Sequence, residues 1–154
     1  MKTPFTISVA TPAQASLVAR LFDLYRQFYG RKSDPEVALH FISERLRNQD
    51  SVIFLALAEE GTPVGFAQMY PLFSSVGAKR AWLLNDLYVS LEARRMKLGK
   101  SLVERCIDHG RQTDAGLVSL QTADDNYPAQ RLYESLGFKK DERFLTYDFQ
   151  IEHV

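Results

Sequence analysis

WLLNDLYVSLEARRMKLGKSLVE, residues 82–104, is the stretch that decides the fold of this chain. Residues 82–89 are mostly apolar, strand-forming side chains on either side of Asn85 and Asp86. From Leu98 onward, Leu98, Leu102 and Cys106 recur at the spacing of one helix face. The stretch therefore predicts a buried strand, a short loop and an amphipathic helix, in that order.

The loop between this strand and helix is basic, with Arg94, Arg95 and Lys97 close together. The first N–H groups of a helix lack partners within the helix and carry partial positive charge, so added cations favour a phosphorylated ligand. Gly99, in the first turn, would let such a ligand approach the backbone. The same residues, with Lys100, could instead be the solvated face of a surface helix. The change from strand to helix is where α/β proteins bind ligands, which favours a phosphate site.

The rest of the chain supplies further strands and helices. Strands are expected over residues 5–10, 51–58, 64–72 and 117–122, with one or two more over 138–151. Helices are expected to start at Pro12, after the cap Thr11, and at Pro35, after Ser33 or Asp34. A fourth helix is expected over 127–136, ended by Gly137. This order predicts a single α/β domain, residues 1–154, with a mixed sheet.

Composition narrows the class of function. The chain has 154 residues with 19 basic and 19 acidic side chains, so it lacks the positive surplus expected of a nucleic-acid-binding protein. No apolar run approaches the roughly 18 residues of a membrane span, and we expect neither a membrane association nor a secretory signal. A cytoplasmic protein is the expectation. His40, His109 and His153 show no metal-ligand spacing, so no metal is expected.

A second pattern lies at residues 126–138, NYPAQRLYESLGF. Taken alone, Asn126 could be a helix N-cap and Tyr133 a half-buried aromatic side chain on a helix.

Together the two stretches resemble the GNAT superfamily of acyl-CoA-dependent N-acetyltransferases. The pyrophosphate loop of that family runs Arg/Gln-x-x-Gly-x-Gly/Ala; Arg94 and Gly99 match it, whereas Lys97 replaces the middle glycine. The family's downstream pattern is matched at every fixed position, namely Asn126, Ala129, Leu132, Tyr133, Gly137 and Phe138. The resemblance implies a mixed, mostly antiparallel central sheet flanked by about four helices. The phrases FYG (28–30) and NDLYV (85–89) look most like the histone- and polyamine-acetylating branch.

The resemblance also implies acetyl-CoA as the co-substrate. The expected contacts come from the strand at residues 82–89, the basic loop, the following helix and the second motif: Leu87, Tyr88, Val89, Arg94, Arg95, Met96, Lys97, Leu98, Gly99, Lys100, Asn126 and Tyr133. Of these, Asn126 would contact the pantetheine arm.

Acetyl transfer to an amine requires the neutral amine. An amine with a pKa near 10.4 is neutral in only about one molecule in 2,500 at pH 7, so a base or a water chain ending on a carboxylate must take the proton. Asp86 is the candidate base, although it could equally be a structural carboxylate; related enzymes often have a glutamate one place earlier, where this chain has Asn85.

The resemblance implies that the Val89 N–H receives the oxyanion and that Tyr133 protonates the departing thiolate. Cys106 lies on the apolar stripe, so we expect no acetyl-enzyme.

The acceptor is expected to enter over the first two helices. Tyr25, Phe28 and Tyr29 offer aromatic faces, and Asp34 and Glu36 offer negative charge, which together suit a cationic amine. Tyr25 and Phe28 could instead complete the core stripe of their helix.

The candidate acceptors are a polyamine, an amino acid or other small amine, and a protein lysine, in that order. The alternative among enzymes is a different acyl donor or an antibiotic-like amine, and the alternative from another class is a non-catalytic acyl-CoA sensor or partner-binding module. The strand-rich C-terminal end could also pair with a neighbour's sheet edge, which would give a homodimer.

Overall fold

The computed structural model describes residues 4–152, and this part of the chain contains five strands and four α-helices. The strands are β1 Phe5–Val9, β2 Val52–Ala58, β3 Pro63–Ser74, β4 Lys79–Val89 and β5 Leu117–Leu120. The helices are α1 Ala15–Phe28, α2 Pro35–Asn48, α3 Leu98–Gln112 and α4 Tyr127–Ser135. The sheet has the order β1-β2-β3-β4-β5; its first three pairings are antiparallel and the β4–β5 pairing is parallel. The predicted mixed, mostly antiparallel sheet with four helices is confirmed.

The chain divides into two compact units, one up to Gln121 and one from Thr122 onward. The first unit contains the whole sheet and α1 to α3. The second contains α4 and the segment that follows it.

Within the first unit, helices cover both faces of the sheet. Phe66 of β3 packs edge-on against Phe22 of α1, with 6.4 Å between the ring centroids. Its neighbour Gly65 points to the opposite face, because successive residues of a strand alternate. A Cβ at Gly65 would lie 3.0 Å from the Leu98 side chain and 3.3 Å from that of Leu102, both on α3. Ile42 of α2 shares a core cluster with Phe22 and Phe66, so α1 and α2 cover one face and α3 covers the other.

The starts of the helices follow the predicted capping signals. Asp34 caps α2 by accepting a hydrogen bond from the Val37 N–H at 3.1 Å, with Pro35 in the first helical position. Thr11 and Gln14 form a capping box, but the turn they enclose, Pro12–Gln14, is a 3-10 helix and α1 begins only at Ala15. The predicted helix is therefore present, and its first turn is tighter than expected.

The prediction of strands over residues 138–151 is wrong for the described chain, in which no strand follows α4 as far as residue 152. Only a local turn occurs there, in which the Asp141 carboxylate accepts hydrogen bonds from the backbone N–H groups of Arg143 and Phe144. A strand is stabilised by the ladder it shares with a neighbour, so a strand-like pattern alone does not form one.

Candidate active site

A β-bulge in β4 determines which face of the sheet Asp86 occupies. Gln68 of β3 pairs with Asp86, whereas the next residue, Met69, pairs with Leu84, so Asn85 is an extra residue on β4. Without the bulge, Leu84 and Asp86 would point to the same face, which is the face that α3 covers. The bulge turns Asp86 to the face covered by α1 and α2.

Asp86 is buried there, only 2% exposed, in a polar network. Its Oδ2 accepts a hydrogen bond from Gln68 Nε2, and its Oδ1 accepts one from Asn85 Nδ2 at 2.8 Å. Ser51 Oγ donates to Gln68 Oε1 at 2.8 Å, which fixes the orientation of the Gln68 amide. Gln68 Nε2 also donates to the Tyr70 hydroxyl at 3.2 Å.

Sequence reasoning missed Ser51, Gln68 and Tyr70 as members of this site. Gln68 is fully buried, and it stands within the mostly apolar run GFAQMYPLF, residues 65–73. A polar amide in the middle of a buried strand needs hydrogen-bond partners, and this requirement could have indicated a polar network around Gln68.

The network changes the proton affinities of its members. Burial raises the pKa of Asp86, and hydrogen bonds from Gln68, Asn85 and Tyr25 offset only part of that increase. Burial and the nearby Asp86 carboxylate also raise the pKa of Tyr25, and they raise that of Tyr70 to about 12. At neutral pH both phenols therefore keep their protons, and Asp86 is a stronger proton acceptor than an ordinary aspartate.

The aromatic residues at the end of α1 form a patch connected to this network. The Tyr25 hydroxyl donates to the Asn85 carbonyl oxygen at 3.2 Å. The Tyr25 and Tyr29 rings lie 5.0 Å apart, and the Tyr29 and Phe28 rings 5.3 Å apart. Phe28 and Tyr29 are 64% and 66% exposed, so Phe28 does not complete the core stripe. The structure thus brings together three of the five residues predicted for the acceptor site.

The two acidic residues predicted with them have other surroundings. Asp34 uses its carboxylate to cap α2, and Glu36 is exposed in the first turn of that helix. A third carboxylate, which sequence reasoning missed, lies next to Asp34. Asp23 Oδ1 accepts a hydrogen bond from the Asp34 N–H at 2.8 Å, and its Oδ2 accepts one from Ser33 Oγ at 2.6 Å. Asp23 thereby ties the loop between α1 and α2 to α1.

Beyond the bulge, β4 continues past the end of its pairing with β5. That pairing runs from Ala81 with Leu117 to Leu84 with Leu120, whereas β4 extends to Val89. On the other side, the Ser90 N–H donates to the Val64 carbonyl oxygen at 2.8 Å. Because N–H directions alternate along an antiparallel pair, the N–H groups of Leu87 and Val89 point away from β3. The end of β4 thus offers backbone hydrogen-bonding groups on the side from which β5 has diverged.

The residues predicted to bind phosphate lie in the turn before α3 and in the first turn of that helix. Lys97 has a φ of +58°, in the left-handed region, and the first helical hydrogen bond runs from the Ser101 N–H to the Lys97 carbonyl oxygen at 3.1 Å. The N–H groups of Leu98, Gly99 and Lys100 therefore precede the helical hydrogen-bond pattern.

The loop arginines differ in their contacts. Arg94 Nε donates to the Val89 carbonyl oxygen at 3.0 Å, and its guanidinium lies 5.9 Å from the centroid of the Tyr88 ring. Arg94 therefore connects the loop to the end of β4. Arg95, Met96 and Lys97 are exposed to solvent.

Asn126 and Tyr133 belong to the second unit. Asn126 caps α4, since its Oδ1 accepts a hydrogen bond from the Ala129 N–H at 3.3 Å. Tyr133 lies on α4, half-buried, with its ring 5.9 Å from that of Phe138 in an edge-to-face contact.

Cys106 is fully buried on α3, and burial raises its pKa to about 12. A thiol with that pKa is almost entirely protonated at neutral pH, so Cys106 is unsuited to act as a nucleophile.

Within residues 4–152, no group of three or more His, Cys, Asp and Glu side chains is arranged to hold a metal; His153 lies outside the described residues. None of the described helices is long and apolar enough to cross a membrane.

Comparisons with known proteins agree with this architecture. Residues 18–138 match the sequence profile of the Acetyltransferase (GNAT) family. The uncharacterized N-acetyltransferase YhfO of Bacillus subtilis is 41% identical over 92% of this chain and 94% of its own length. A solved structure described as a probable acetyltransferase has a TM-score of 0.90 at 44% identity and covers 96% of this chain and 99% of its own. A D-amino-acid N-acetyltransferase of Saccharomyces cerevisiae is 28% identical over 80% of this chain and 78% of its own.

The fold, with its bulge in β4 and its basic turn before α3, is that of an acyltransferase. The chain belongs to the GNAT family of N-acetyltransferases.

Proposed function

We propose that this enzyme transfers the acetyl group of acetyl-CoA directly to a primary amine, with Asp86 as the terminal proton acceptor. One observation carries the proposal. The bulge at Asn85 places a buried carboxylate of raised pKa beside the aromatic patch of Tyr25, Phe28 and Tyr29, immediately before the backbone groups of Leu87 and Val89. A proton acceptor and a hydrogen-bonding strand end are thus adjacent in sequence and in space.

The donor would bind along the end of β4 and the start of α3. The amide groups of the pantetheine arm suit the backbone of Leu87 and Val89, because an extended chain can pair with a strand whose neighbour has diverged. The pyrophosphate suits the N–H groups of Leu98 and Gly99 and the charge of the basic loop.

In the chemical step, the neutral amine would attack the thioester carbonyl and form the new C–N bond. The Val89 N–H would stabilise the oxyanion of the tetrahedral intermediate. The amine's proton would pass to Asp86 through the Tyr25 hydroxyl or a water molecule, because the buried carboxylate is already bonded to Gln68 and Asn85.

Collapse of the intermediate would break the C–S bond and release the CoA thiolate. Tyr133 would supply the proton that the thiolate takes up, as the resemblance to the family implies. Asn126, on the same unit, would contact the pantetheine arm. Cys106, buried and protonated, takes no part in this sequence of steps.

The acceptor would bind over the exposed rings of Phe28 and Tyr29, whose faces attract a cationic amine. A polyamine remains the first candidate, followed by an amino acid or other small amine and then a protein lysine. The yeast relative named as a D-amino-acid N-acetyltransferase makes both enantiomers of amino acids worth testing. The single cysteine is a buried thiol, and we propose the reducing cytoplasm as the compartment.

The test is release of CoA thiol from acetyl-CoA in the presence of polyamines, D- and L-amino acids and lysine peptides. Calorimetry would measure CoA affinity in parallel. Asp86→Asn is the active-site variant, and Glu60→Gln, an exposed carboxylate on the β2–β3 turn, is its matched control. We expect turnover with one class of amine, lost in Asp86→Asn and retained in Glu60→Gln. Absence of CoA binding by the unaltered protein would overturn the proposal.

A further inference from the structure

Gln68 is the buried polar neighbour of Asp86 across the sheet. It is fully buried in the middle of β3, with Ile53 of β2 opposite it on one side and Asp86 of β4 opposite it on the other. Residues paired across a sheet share a face, and Ile53 belongs to the apolar core cluster on the face that α1 and α2 cover. Asp86 therefore lies in apolar surroundings, where an ionised carboxylate needs hydrogen-bond donors.

The amide of Gln68 uses its nitrogen and its oxygen for different partners. Its Nε2 donates to Asp86 Oδ2 and to the Tyr70 hydroxyl at 3.2 Å, and its Oε1 accepts a hydrogen bond from Ser51 Oγ at 2.8 Å. An ionised carboxylate can only accept hydrogen bonds, so the amide must turn its nitrogen towards Asp86. Ser51 stabilises this orientation because its hydroxyl donates to the amide oxygen.

Hydrogen bonds, and not a neighbouring cation, stabilise the ionised form of Asp86. Among the residues that the structure describes, no lysine or arginine side chain forms an ion pair with Asp86. The titratable side chains that face the network come from α1, α2, β3 and the loop before β2: Tyr25, Tyr29, Arg45, Tyr70 and Asp50. Arg45 Nε lies 3.0 Å from Asp50 Oδ1, so the charge of Arg45 is already compensated. The raised pKa values of Tyr25 and Tyr70 keep both phenols protonated at neutral pH.

The two amides that donate to Asp86 differ in their exposure. Asn85 is exposed, so water can replace its hydrogen bond, whereas solvent does not reach Gln68. Burial raises the pKa of Asp86, and the hydrogen bond from Gln68 is the strongest of the hydrogen bonds that lower it. The ionised state of the carboxylate therefore depends most on Gln68.

We propose that Gln68 is a positioning residue that holds the Asp86 carboxylate ionised, and that it thereby sets the pH range in which the enzyme can accept a proton from the amine. The inference rests on the proposed function of Asp86 as the proton acceptor. Gln68 acts through Asp86: without this donor the neutral form of the carboxyl group is favoured, and a protonated carboxyl group cannot take the proton of the amine.

The first experiment measures the titration midpoint of Asp86 by carbon NMR of the side-chain carboxyl groups in the enzyme without substrate. Asp86→Asn identifies the signal, and Gln68→Met replaces the amide with an apolar side chain of similar length. We expect the midpoint to rise by about one to two pH units, because one hydrogen bond to a charged group is lost. Met69→Leu, at a buried neighbour that points to the opposite face of β3, is the matched control and should leave the midpoint unchanged. An unchanged midpoint in Gln68→Met would overturn the proposal.

The second experiment measures kcat/KM against pH with acetyl-CoA and the polyamine, amino acid or lysine peptide that is turned over. In Gln68→Met the acidic limb should move upward by the same amount as the NMR midpoint, while the rate on the alkaline side of that limb stays close to that of the unaltered enzyme. The ionisation of the amine is the same in every variant, so the difference reports on the enzyme. A rate lowered equally at every pH would show that Gln68 serves the structure only, and the proposal would fail.

A milder variant covers the case in which Gln68→Met does not fold. Ser51→Ala leaves Gln68 in place but removes the hydroxyl that orients its amide. We expect a smaller upward shift of the Asp86 midpoint, and its absence would count against the proposal.

Asp86→Asn distinguishes the two proposals from each other. If Asp86→Asn loses activity but Gln68→Met leaves the Asp86 titration unchanged, Gln68 is not the positioning residue and the proposed function stands. If Asp86→Asn retains full activity, the proposed function fails, and the influence of Gln68 on the rate fails with it.

Discussion

Replacing Asp86 with asparagine separates the proposed catalytic role of this carboxylate from a structural one. Asparagine keeps the shape of the side chain and can still accept the hydrogen bond from Gln68, but it cannot take a proton. Loss of a positioned general base costs about 100- to 10,000-fold in rate, and we expect kcat for amine acetylation to fall within that range. The affinity for CoA should stay unchanged, because the proposed phosphate and pantetheine contacts lie elsewhere.

Stability should respond differently from activity. Burial raises the pKa of Asp86, so in the folded state the ionised form is disfavoured. Its folded pKa therefore exceeds the unfolded value, and this group makes stability fall as pH rises from the unfolded pKa through the folded one. Asp86→Asn removes that fall, but it also removes the hydrogen bond that Asn85 donates, worth about 1 kcal/mol, because asparagine has one acceptor oxygen and Gln68 occupies it. We expect the free energy of unfolding at pH 7 to stay within about 1 kcal/mol of the unaltered protein.

The assays are steady-state kinetics between pH 5 and 9 and urea denaturation. In the unaltered enzyme, the acidic limb of kcat/KM should lie above the ordinary aspartate pKa, because Asp86 must be ionised to accept the proton. The variant should lose that limb. An unchanged kcat would remove Asp86 from the mechanism, and a large loss of stability together with activity would indicate a structural carboxylate instead.

Three further variants test other parts of the site. Tyr133→Phe should lower kcat by about 100-fold with CoA affinity unchanged, measured by kinetics and calorimetry; an unaltered rate at saturating substrate would exclude Tyr133 as the acid. Lys97→Gly should raise the free energy of unfolding by about 1 kcal/mol relative to Lys97→Ala, since only glycine relieves the positive φ; equal urea midpoints would contradict this. Asp23→Ala should destabilise the fold by about 2–3 kcal/mol at pH 7 because Ser33 and the Asp34 N–H lose their acceptor. Hydrogen bonds outweigh burial and lower the pKa of Asp23, so its contribution exists above the unfolded pKa and disappears as pH falls through the folded pKa; a variant whose deficit is as large at pH 2 as at pH 7 would disprove this.

Capping residues and prolines in the sequence predicted where helices begin, because helix starts depend on interactions between residues that are close in sequence. Proline fixes φ in the first helical turn, and a side-chain oxygen before it satisfies a free backbone N–H. Asp34 and Asn126 both perform this capping in the structure, and α2 and α4 begin where these residues indicate.

The face of the sheet to which Asp86 points could not be predicted in this way. Strict alternation along β4 would put Leu84 and Asp86 on one face, and nothing in the run WLLNDLYV reveals that Asn85 is an extra residue. The bulge depends on the register with β3, which is a contact distant in sequence. The polar network of Ser51, Gln68 and Tyr70 depends on the same register, so it was missed for the same reason.

The segment after α4 shows the converse error. Alternation over residues 145–152 is a correct description of strand-forming chemistry, yet no strand forms within the described chain. Periodicity reports what a segment can bury and leaves open which surface buries it.

The departure from the family's phosphate motif at residue 97 acquires a different meaning once the backbone is known. A glycine in such a loop serves chiefly to permit a positive φ, and Lys97 adopts that conformation, at +58°, with its side chain exposed to solvent. The helix therefore still begins at Leu98, and the N–H groups of Leu98 and Gly99 lie in its first turn, where an anion can bind. The positive φ of the lysine destabilises the folded state by about 1 kcal/mol, and its side chain adds a cation beside the proposed pyrophosphate. In the proposed site, Lys97 would therefore add positive charge for phosphate while its backbone keeps the positive φ that a glycine would allow, which argues for retained CoA binding.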